Sequence, residues 1–534
     1  MKIALSAPRS QVALGNAAFP EVVLRFRAAR GRSETSRNGA FPSSAWERDA
    51  RGVARHGAAC VSPLTQDTPR SAIFSGSALR RKFALRGRFF GRRLEARRSM
   101  QASVLIVVLW ACLGLVAITL TFGHSMVMAY RGTDNDLAGR QADQAIEGAA
   151  RYAESLFVNA TTPGLFPELT SYEREAVPVG EAKFWFLGRP LETSNGKTRE
   201  YGLVDEAGKL NLNAATAAML KLLPGMTDDF AAAIVEWRTA ATGTGTSSSS
   251  STVKGGPLES IEELALVTGA TREILYGEDE NLNGVLDANE DDNSKSLPED
   301  NSDGKLDPGI LEYVTVFSRE SNKQSDGTTN RINITNIQQV TQELTTLIDD
   351  KLGKDRAAKI LPLVSAGPPM QSVLEFYLRA KGNDFSEDDF AKIAYEITVV
   401  DPATSPTIQG LINVNTASGA VLGFVIGADN ASKLVAARAS RTVADANYAW
   451  IAEPLGITRT VLMTGLEMLT GKCSQVTADI AAVGRHGRGY RRSKIVIDVS
   501  GTSPKIIYRR NLAGLGWALG GDVRQTLATK KDIR

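Results

Sequence analysis

The side chains best suited to chemistry in this sequence are the oxygen donors of one acidic loop, residues 279–290. Its spacing matches the twelve-residue calcium loop, in which six positions supply oxygen ligands and a glycine makes the sharp turn. The six ligand positions hold Asp279, Asn281, Asn283, Val285 (through its carbonyl), Asp287 and Glu290, and Gly284 is at the turn. Hard oxygen donors suit calcium and not zinc, so the loop predicts a structural calcium ion. The alternative is a solvated acidic linker, because Asx-Gly pairs are also common in turns.

A second and poorer copy of the loop follows at residues 299–310. The matching residues are Glu299, Asn301, Asp303, Lys305 (through its carbonyl) and Asp307. The closing position holds Ile310, which has no oxygen in its side chain. The sequence therefore supports a second calcium site and an acidic linker equally. In both loops the ion would make the loop rigid, with the weak affinity of extracellular modules, about 10⁻⁴ to 10⁻³ M.

No sequence motif indicates an enzyme. The chain contains no Gly-x-Ser-x-Gly, P-loop, His-Glu-x-x-His or dinucleotide fingerprint. After residue 98 it has only two cysteines, Cys112 and Cys473, and two histidines, His124 and His486. These are too few for a disulfide framework or a His/Cys metal cluster. We therefore expect no catalytic residues.

The acidic loops must be positioned by a chain that begins with a membrane anchor. Residues 102–123 form an apolar run without a charged residue, long enough as a helix to cross a hydrocarbon core of about 30 Å. Arginines precede the run, so the positive-inside rule predicts a cytoplasmic N-terminal side and exports the rest of the chain. A cleaved signal peptide is the alternative, but it needs a shorter apolar core and an Ala-x-Ala-like exit.

The helical pattern continues beyond the anchor and leads to strands. Apolar residues recur at helical spacing from Leu137 to Leu156, which predicts one long helix with an amphipathic stem. Strand-like segments occur at 182–187 and 199–205, and again at 476–483, 493–500 and 505–510. The predicted fold class is α+β: a type IV pilin-like N-terminal helix lies on an antiparallel sheet that a large, mostly helical insertion interrupts.

Residues 97–110, RRSMQASVLIVVLW, resemble the N-terminus of the K-type minor pseudopilins of type II secretion, the general secretion pathway protein K family. The resemblance covers about residues 97 to 517 and is strongest at the anchor, the Asn-x-Asn copies and the calcium loop. It implies cleavage by a prepilin peptidase after Ala102, so that Ser103 becomes the methylated mature N-terminus. Most members have Gly before the cut, whereas this chain has Ala102. Position five after the cut is Val107, where major pilins carry Glu.

The resemblance carries further implications for function. The family's lack of that Glu fits a subunit at the tip of the pseudopilus, with no subunit ahead of it. Its members bind calcium in the insertion, and their stem helices pack on other minor pseudopilins. The implied partners are therefore other minor pseudopilins, the prepilin peptidase, and the secretin or cargo. The implied location is the inner membrane, as a single-pass protein with most of the chain in the periplasm.

The first 98 residues do not have the pattern of a folded domain. They hold 20 Lys and Arg against 6 Asp and Glu, a balance of +14 in a chain of net charge +3. Such a segment fits a nucleic-acid-binding arm, a cytoplasmic tail, or translation from a start codon placed too far upstream. The predicted boundaries are 1–99 (disordered extension or leader), 100–160 (anchor and stem), 161–205 (first part of the core), 206–472 (insertion, with the calcium region at 279–310), 473–520 (returning strands) and 521–534 (tail).

The insertion contains a near-repeat. Lys209–Thr216 (KLNLNAAT) and Leu411–Ala417 (LINVNTA) each precede a helical pattern, and Arg331–Asn336 (RINITN) is a diverged third copy. Asn and Thr here suit helix N-caps. The first copy continues into Leu222–Met226 (LLPGM), which resembles the hairpin of a helix-hairpin-helix, a module that can bind DNA phosphates. Asp228 and Asp229 follow and would repel phosphate, so packing is favoured and nucleic acid is not expected as a partner. A membrane-anchored DNA receptor of the competence type, and an anchored calcium-dependent adhesion domain, remain the alternatives.

Overall fold

The computed structural model describes residues 99–529, apart from 159–163, 168, 173, 190–197, 240–252, 383–384, 442–445 and 502. The predicted N-terminal extension and residues 530–534 lie outside the described residues. The described chain begins with one continuous helix, α1 (Ser99–Val158). Among the described residues, α1 alone is long and apolar enough to cross a membrane, with a mean hydropathy of 2.7 in its apolar part. The prediction of one long helix that contains both the apolar run and the stem is confirmed.

The stem half of α1 packs on one face of an antiparallel sheet. A short helix, α2 (Leu169–Tyr172), precedes this sheet. The strands are β1 (Val177–Val179), β2 (Ala182–Phe186), β3 (Val204–Asp205), β4 (Gln475–Val483), β5 (Arg491–Asp498) and β6 (Lys505–Asn511). Their order is β1-β2-β4-β5-β6, and β3 also pairs with β4. The pilin-like α+β class is therefore confirmed, and the predicted strand at 199–205 is reduced to two residues.

Small residues let α1 approach the sheet closely. Its buried positions repeat every three or four residues; they are Ala138, Ala142, Ala145, Ile146, Ala149, Ala150 and Ala153. Opposite them lie aromatic and branched side chains such as Phe184, Phe186 and Ile480. The hairpin between β4 and β5 touches the helix backbone itself, since a Cβ on Gly484 would lie 2.1 Å from the Ala138 carbonyl oxygen. Glycine is thus required at this contact.

The insertion between β3 and β4 has its own hydrophobic core. Its helices are α3 (Ala217–Leu220), α4 (Asp228–Arg238), α5 (Arg272–Tyr276), α6 (Thr341–Leu352), α7 (Arg356–Val364), α8 (Val373–Ala380), α9 (Glu387–Ile393), α10 (Gly419–Ile426) and α11 (Ala428–Ala439). Fully buried aromatic side chains, including Phe230, Phe376 and Phe390, fill the core between them. After β6 the chain forms α12 (Gly520–Thr529), where the sequence indicated only a tail.

The near-repeat is a recurring backbone unit. In each copy a two-residue strand pairs in parallel with a later two-residue strand: 210–211 with 314–315, 332–333 with 397–398, and 412–413 with 469–470. The first strand ends in Asn211, Asn333 or Asn413, whose side-chain oxygen accepts the N–H two residues on at 2.8 to 3.0 Å. The second strand ends in a threonine whose hydroxyl also accepts the N–H two residues on. The third copy at 331–336 is therefore a structural member of the repeat.

Each copy also leads into two helices joined at a glycine. The glycines Gly225, Gly353 and Gly427 have φ of 63°, 100° and 85°, a region in which only glycine is unstrained. They lie between α3 and α4, α6 and α7, and α10 and α11, respectively. The predicted N-caps are confirmed at Thr216, which caps α3, and at Asn333, which caps the 3-10 helix Ile334–Gln339. Asn211 and Asn413 make local turns instead, and Ser418 caps α10.

Candidate metal centre

The predicted calcium loops lie between α5 and a short 3-10 helix, Ile310–Glu312. Two glycines let the entering and leaving chains cross. A Cβ on Gly277 would lie 2.3 Å from the Asp307 carbonyl oxygen, and one on Gly309 would lie 2.4 Å from the Leu275 carbonyl oxygen. The crossing brings Glu278, the last residue before the first loop, against the second loop.

Two carboxylates organise the first loop from within. The Asp279 carboxylate accepts the N–H groups of Asn283 (2.9 Å) and Gly284 (2.8 Å), one on each oxygen. The Glu290 carboxylate accepts the N–H groups of Glu280 (3.2 Å) and Asp287 (2.9 Å). Asp279 and Glu290 are fully buried. The first and last predicted ligands therefore face each other across a closed loop.

The loop concentrates negative charge in a buried place. Burial raises the pKa of Asp279 to about 6. Burial, together with the nearby carboxylates of Asp279 and Asp287, raises the pKa of Glu290 to about 8. The Asp287 carboxylate is contacted by the amide nitrogens of Asn281 (2.7 Å) and Asn283 (2.9 Å). The side-chain oxygen of Asn281 is buried and has no hydrogen-bond partner. A cation would satisfy this oxygen and offset the carboxylate repulsion.

The donor set fits calcium better than other metals. Within the described ranges, no three His, Cys, Asp or Glu side chains form a metal-binding group by themselves. Amide and main-chain oxygens would therefore have to complete the coordination, as they do around calcium. Hydrogen bonds join the Asn281 and Asn283 amides to Asp287, whereas the Asp279, Asp287 and Glu290 carboxylates do not gather into one metal-binding group. Val285, whose carbonyl was the predicted sixth donor, is buried. These residues would hold the ion, which would supply rigidity.

The second loop is organised by a residue that the sequence pattern did not identify. Glu278 accepts the N–H groups of Asn301 (3.2 Å) and Asp307 (2.9 Å), just as Glu290 accepts the ninth-position N–H in the first loop. Burial raises the pKa of Glu278. By contrast, Glu299 is exposed, and Ile310 is fully buried in the core of the insertion. Glu278 thus supplies the closing carboxylate that Ile310, at the predicted closing position, lacks.

The remaining second-loop residues keep the predicted turn. The Asn301 amide nitrogen donates to Asp307 at 2.6 Å, the Asn301 oxygen accepts the Asp303 N–H at 2.9 Å, and Asp303 accepts the Lys305 N–H at 2.8 Å. Asn301 and Asp303 are exposed. The second loop is therefore the more open of the two.

Buried arginines of the pilin-like core hold the first loop by its backbone. Arg492 in β5 donates to the carbonyl oxygens of Asn281 (2.5 Å) and Leu282 (2.6 Å) and pairs with Asp479 in β4 at 2.6 Å. Arg189, which follows β2, also donates to the Leu282 carbonyl and pairs with Glu312 at 3.0 Å. The loop therefore joins the insertion to the face of the sheet opposite α1.

The predicted processing site lies in the first turn of α1. The backbone of Ala102 and Ser103 is helical, and their side chains lie outside the described residues. The whole apolar part that follows is exposed, with Leu113, Leu115 and Phe122 each more than half accessible. The structure thus offers an apolar surface to lipid or to other helices.

No family model and no curated protein matches the chain. Among solved structures the chain is similar to one described as the crystal structure of the GspK-GspI-GspJ complex of the type 2 secretion system from enterotoxigenic Escherichia coli. The match has a TM-score of 0.26 and 12% sequence identity, and it covers 70% of this chain and 97% of that chain.

Proposed function

We propose that this chain is a minor pseudopilin of a type II secretion system. The observation that carries the proposal is the architecture of α1. Its first half is exposed and apolar, and its second half packs through small residues on an antiparallel sheet. This arrangement suits a subunit that α1 holds in the inner membrane. The subunit can leave the membrane when α1 packs side by side with the helices of other subunits. The bulk of the chain would lie in the periplasm.

The proposed position is the tip of the pseudopilus. The insertion between β3 and β4 adds a second hydrophobic core to the pilin-like unit, and its bulk would be accommodated where no further subunit is stacked. Val107, in place of a Glu that would neutralise the terminus of a preceding subunit, fits the same position. The chain would cap the fibre and nucleate its assembly, with the insertion available to the secretin or cargo.

Calcium would fix the insertion on this unit. Arg492 and Arg189 donate hydrogen bonds to backbone carbonyl oxygens of the first loop. An ion that orders the loop would therefore also order the junction between the insertion and the sheet. Such an ion would raise stability and would take part in no reaction. The function is therefore one of assembly.

The contact with other minor pseudopilins can be tested on the stem. Leu137, which lies just beyond the anchor, is an apolar residue whose side chain is 41% exposed. Asn135 is an exposed polar residue on the opposite side of the same helical turn. We expect Leu137→Glu to reduce copurification with the other minor pseudopilins of the same secretion system, and Asn135→Glu to leave it unchanged. Equal recovery of the complex with both variants would contradict the proposed packing.

One observation favours the DNA receptor as a second candidate. Three helix pairs turn at glycines with positive φ, and such hairpins can present N–H groups to phosphate. However, Lys221 at the first hairpin is paired with Asp228 at 3.0 Å, so its charge is already neutralised. Duplex-DNA binding that weakens steeply with salt would support this candidate, and no binding at low salt would remove it.

A further inference from the structure

The soluble domain has a basic surface at the end nearest the anchor. We call it the basal surface and define it by Arg131, Asp134, Arg485, His486 and Arg488. Arg485 and Arg488 come from the hairpin between β4 and β5, and both pair with the single carboxylate of Asp134, Arg488 at 2.5 Å. Arg131 and His486 are exposed. Three arginines therefore face Asp134 and Glu181, the latter 4.0 Å from Arg485, and the surface carries a net charge of +1.

The charges balance further along the stem. The next charged residues are Asp136, Arg140, Asp143 and Arg491, among which Arg491 pairs with Asp143 at 3.4 Å. This second group holds two acidic and two basic residues. The positive excess is thus confined to the end of the domain that faces the anchor.

The length of the uncharged helix sets the height of this surface above a bilayer. No Asp, Glu, Lys or Arg occurs from Ser103, the proposed mature N-terminus, to Tyr130, and α1 is continuous over these 28 residues. At about 1.5 Å per residue they span about 42 Å, or about 39 Å at the average tilt of about 20°. A bilayer with its headgroups is about 40–45 Å thick. Arg131 is therefore expected at the outer limit of the headgroups.

The hairpin arginines reach back to the same level. The backbone of the hairpin meets α1 at Ala138, where Gly484 and Gly489 allow close contact, and the Arg485 N–H donates to Gln141 at 3.3 Å. The guanidinium groups of Arg485 and Arg488, however, bind Asp134. This residue is three positions after Arg131 and so lies about 4.5 Å further along the helix axis. This is within one Debye length of about 8–10 Å. The geometry points to a basal surface that binds the anionic phospholipid headgroups of the membrane that α1 spans and holds the soluble domain against it.

This inference rests on the proposed membrane anchor, and the experiment separates the two. The full chain is reconstituted in vesicles of phosphatidylcholine alone, or of phosphatidylcholine and phosphatidylglycerol in equal parts. A spin label at His486→Cys, with Cys60 and Cys112 replaced by Ser, reports collisions with a nickel chelate attached to lipid headgroups. A label at Lys354→Cys, an exposed residue of the insertion, is the distant control. A label on native Cys112, with Cys60 replaced by Ser, reports whether α1 is inserted.

We expect the chelate to relax the label at residue 486 strongly and the label at residue 354 weakly, with a larger effect in the anionic vesicles. Arg131→Gln should lower the docking equilibrium about fivefold in anionic vesicles, the usual effect of one basic residue near such a surface. Arg140→Gln is the matched control, since this exposed arginine lies about 13.5 Å further along the axis. A lipid-buried Cys112 with a label at 486 no closer to the headgroups than that at 354 would overturn the inference and leave the anchor standing. An accessible Cys112 would overturn both.

Discussion

Replacement of Glu290 by Gln should stabilise the protein without calcium and should remove the stabilisation that calcium gives. In the absence of metal, the ionised Glu290 carboxylate is buried near Asp279 and Asp287, and its pKa is raised to about 8. In the presence of calcium, the same carboxylate is the proposed closing ligand. Gln is neutral and similar in shape, so it removes the charge while it keeps one acceptor for the loop N–H groups.

The expected size without metal follows from the pKa. The folded state holds a proton that the unfolded state has released above about pH 4.5, so stability falls as pH rises from about 4.5 and stops falling above about pH 8. Between pH 6 and pH 9 this one group lowers the unfolding free energy by about 2 to 3 kcal/mol. Glu290→Gln should remove that part of the pH dependence and be the more stable protein at pH 9. At pH 6 Glu290→Gln should already be the more stable protein by about 2 kcal/mol, because the unfolded wild type has released the proton, and the two proteins should be similar only below about pH 4.5.

With calcium the difference becomes smaller. An ion at about fifty times its dissociation constant stabilises the native state by about 2.3 kcal/mol, and Glu290→Gln should lose this gain. The assay is urea unfolding at pH 6 and pH 9, with calcium or with EDTA, and Glu236→Gln, at an exposed residue outside both loops, is the control. An equal calcium effect in both proteins, or an unchanged pH slope without metal, would refute the assignment of Glu290.

Three further predictions concern other contacts. Glu278→Gln should reduce calcium stoichiometry from two to one in isothermal titration calorimetry, because it removes the carboxylate that closes the second loop. Arg492→Met should destabilise the protein by about 3–5 kcal/mol in urea unfolding, since it leaves buried Asp479 unpaired, and the double variant with Asp479→Leu should recover part of the loss. Ala149→Leu should cost about 1–3 kcal/mol by overpacking the stem against the sheet, whereas Leu at the exposed Gln144 should cost little.

The elements with a strong local pattern could be predicted from the sequence. The apolar run and the alanine spacing beyond it indicated one long helix, which the structure shows as Ser99–Val158. The alternating segment at 476–483 became β4, all nine of whose residues are buried because α1 covers one face and the insertion the other. Each of these signals lies within a few turns of helix or one strand, so no tertiary information was needed.

The parts that were missed depend on contacts between distant residues. Glu278 precedes the first loop, and only the crossing at Gly277 and Gly309 brings it to the second. Arg492 lies about two hundred residues from the loop carbonyls that it binds. The one sequence signal for the role of Arg492 was a charged residue in a strand of alternating pattern. A buried strand contains Arg only where the side chain has a partner. The parallel strand pairs of the insertion were too short to give a period.

The central claim, that this chain is processed and assembled as a pseudopilin, is tested most directly at its N-terminus. The full-length protein is expressed with and without a prepilin peptidase, and the terminus of the purified chain is determined by mass spectrometry. We predict a methylated Ser103 that appears only with the peptidase. A chain that keeps Ala102 and the preceding residues in the presence of an active peptidase, which cleaves a known pseudopilin in the same cells, would contradict the claim.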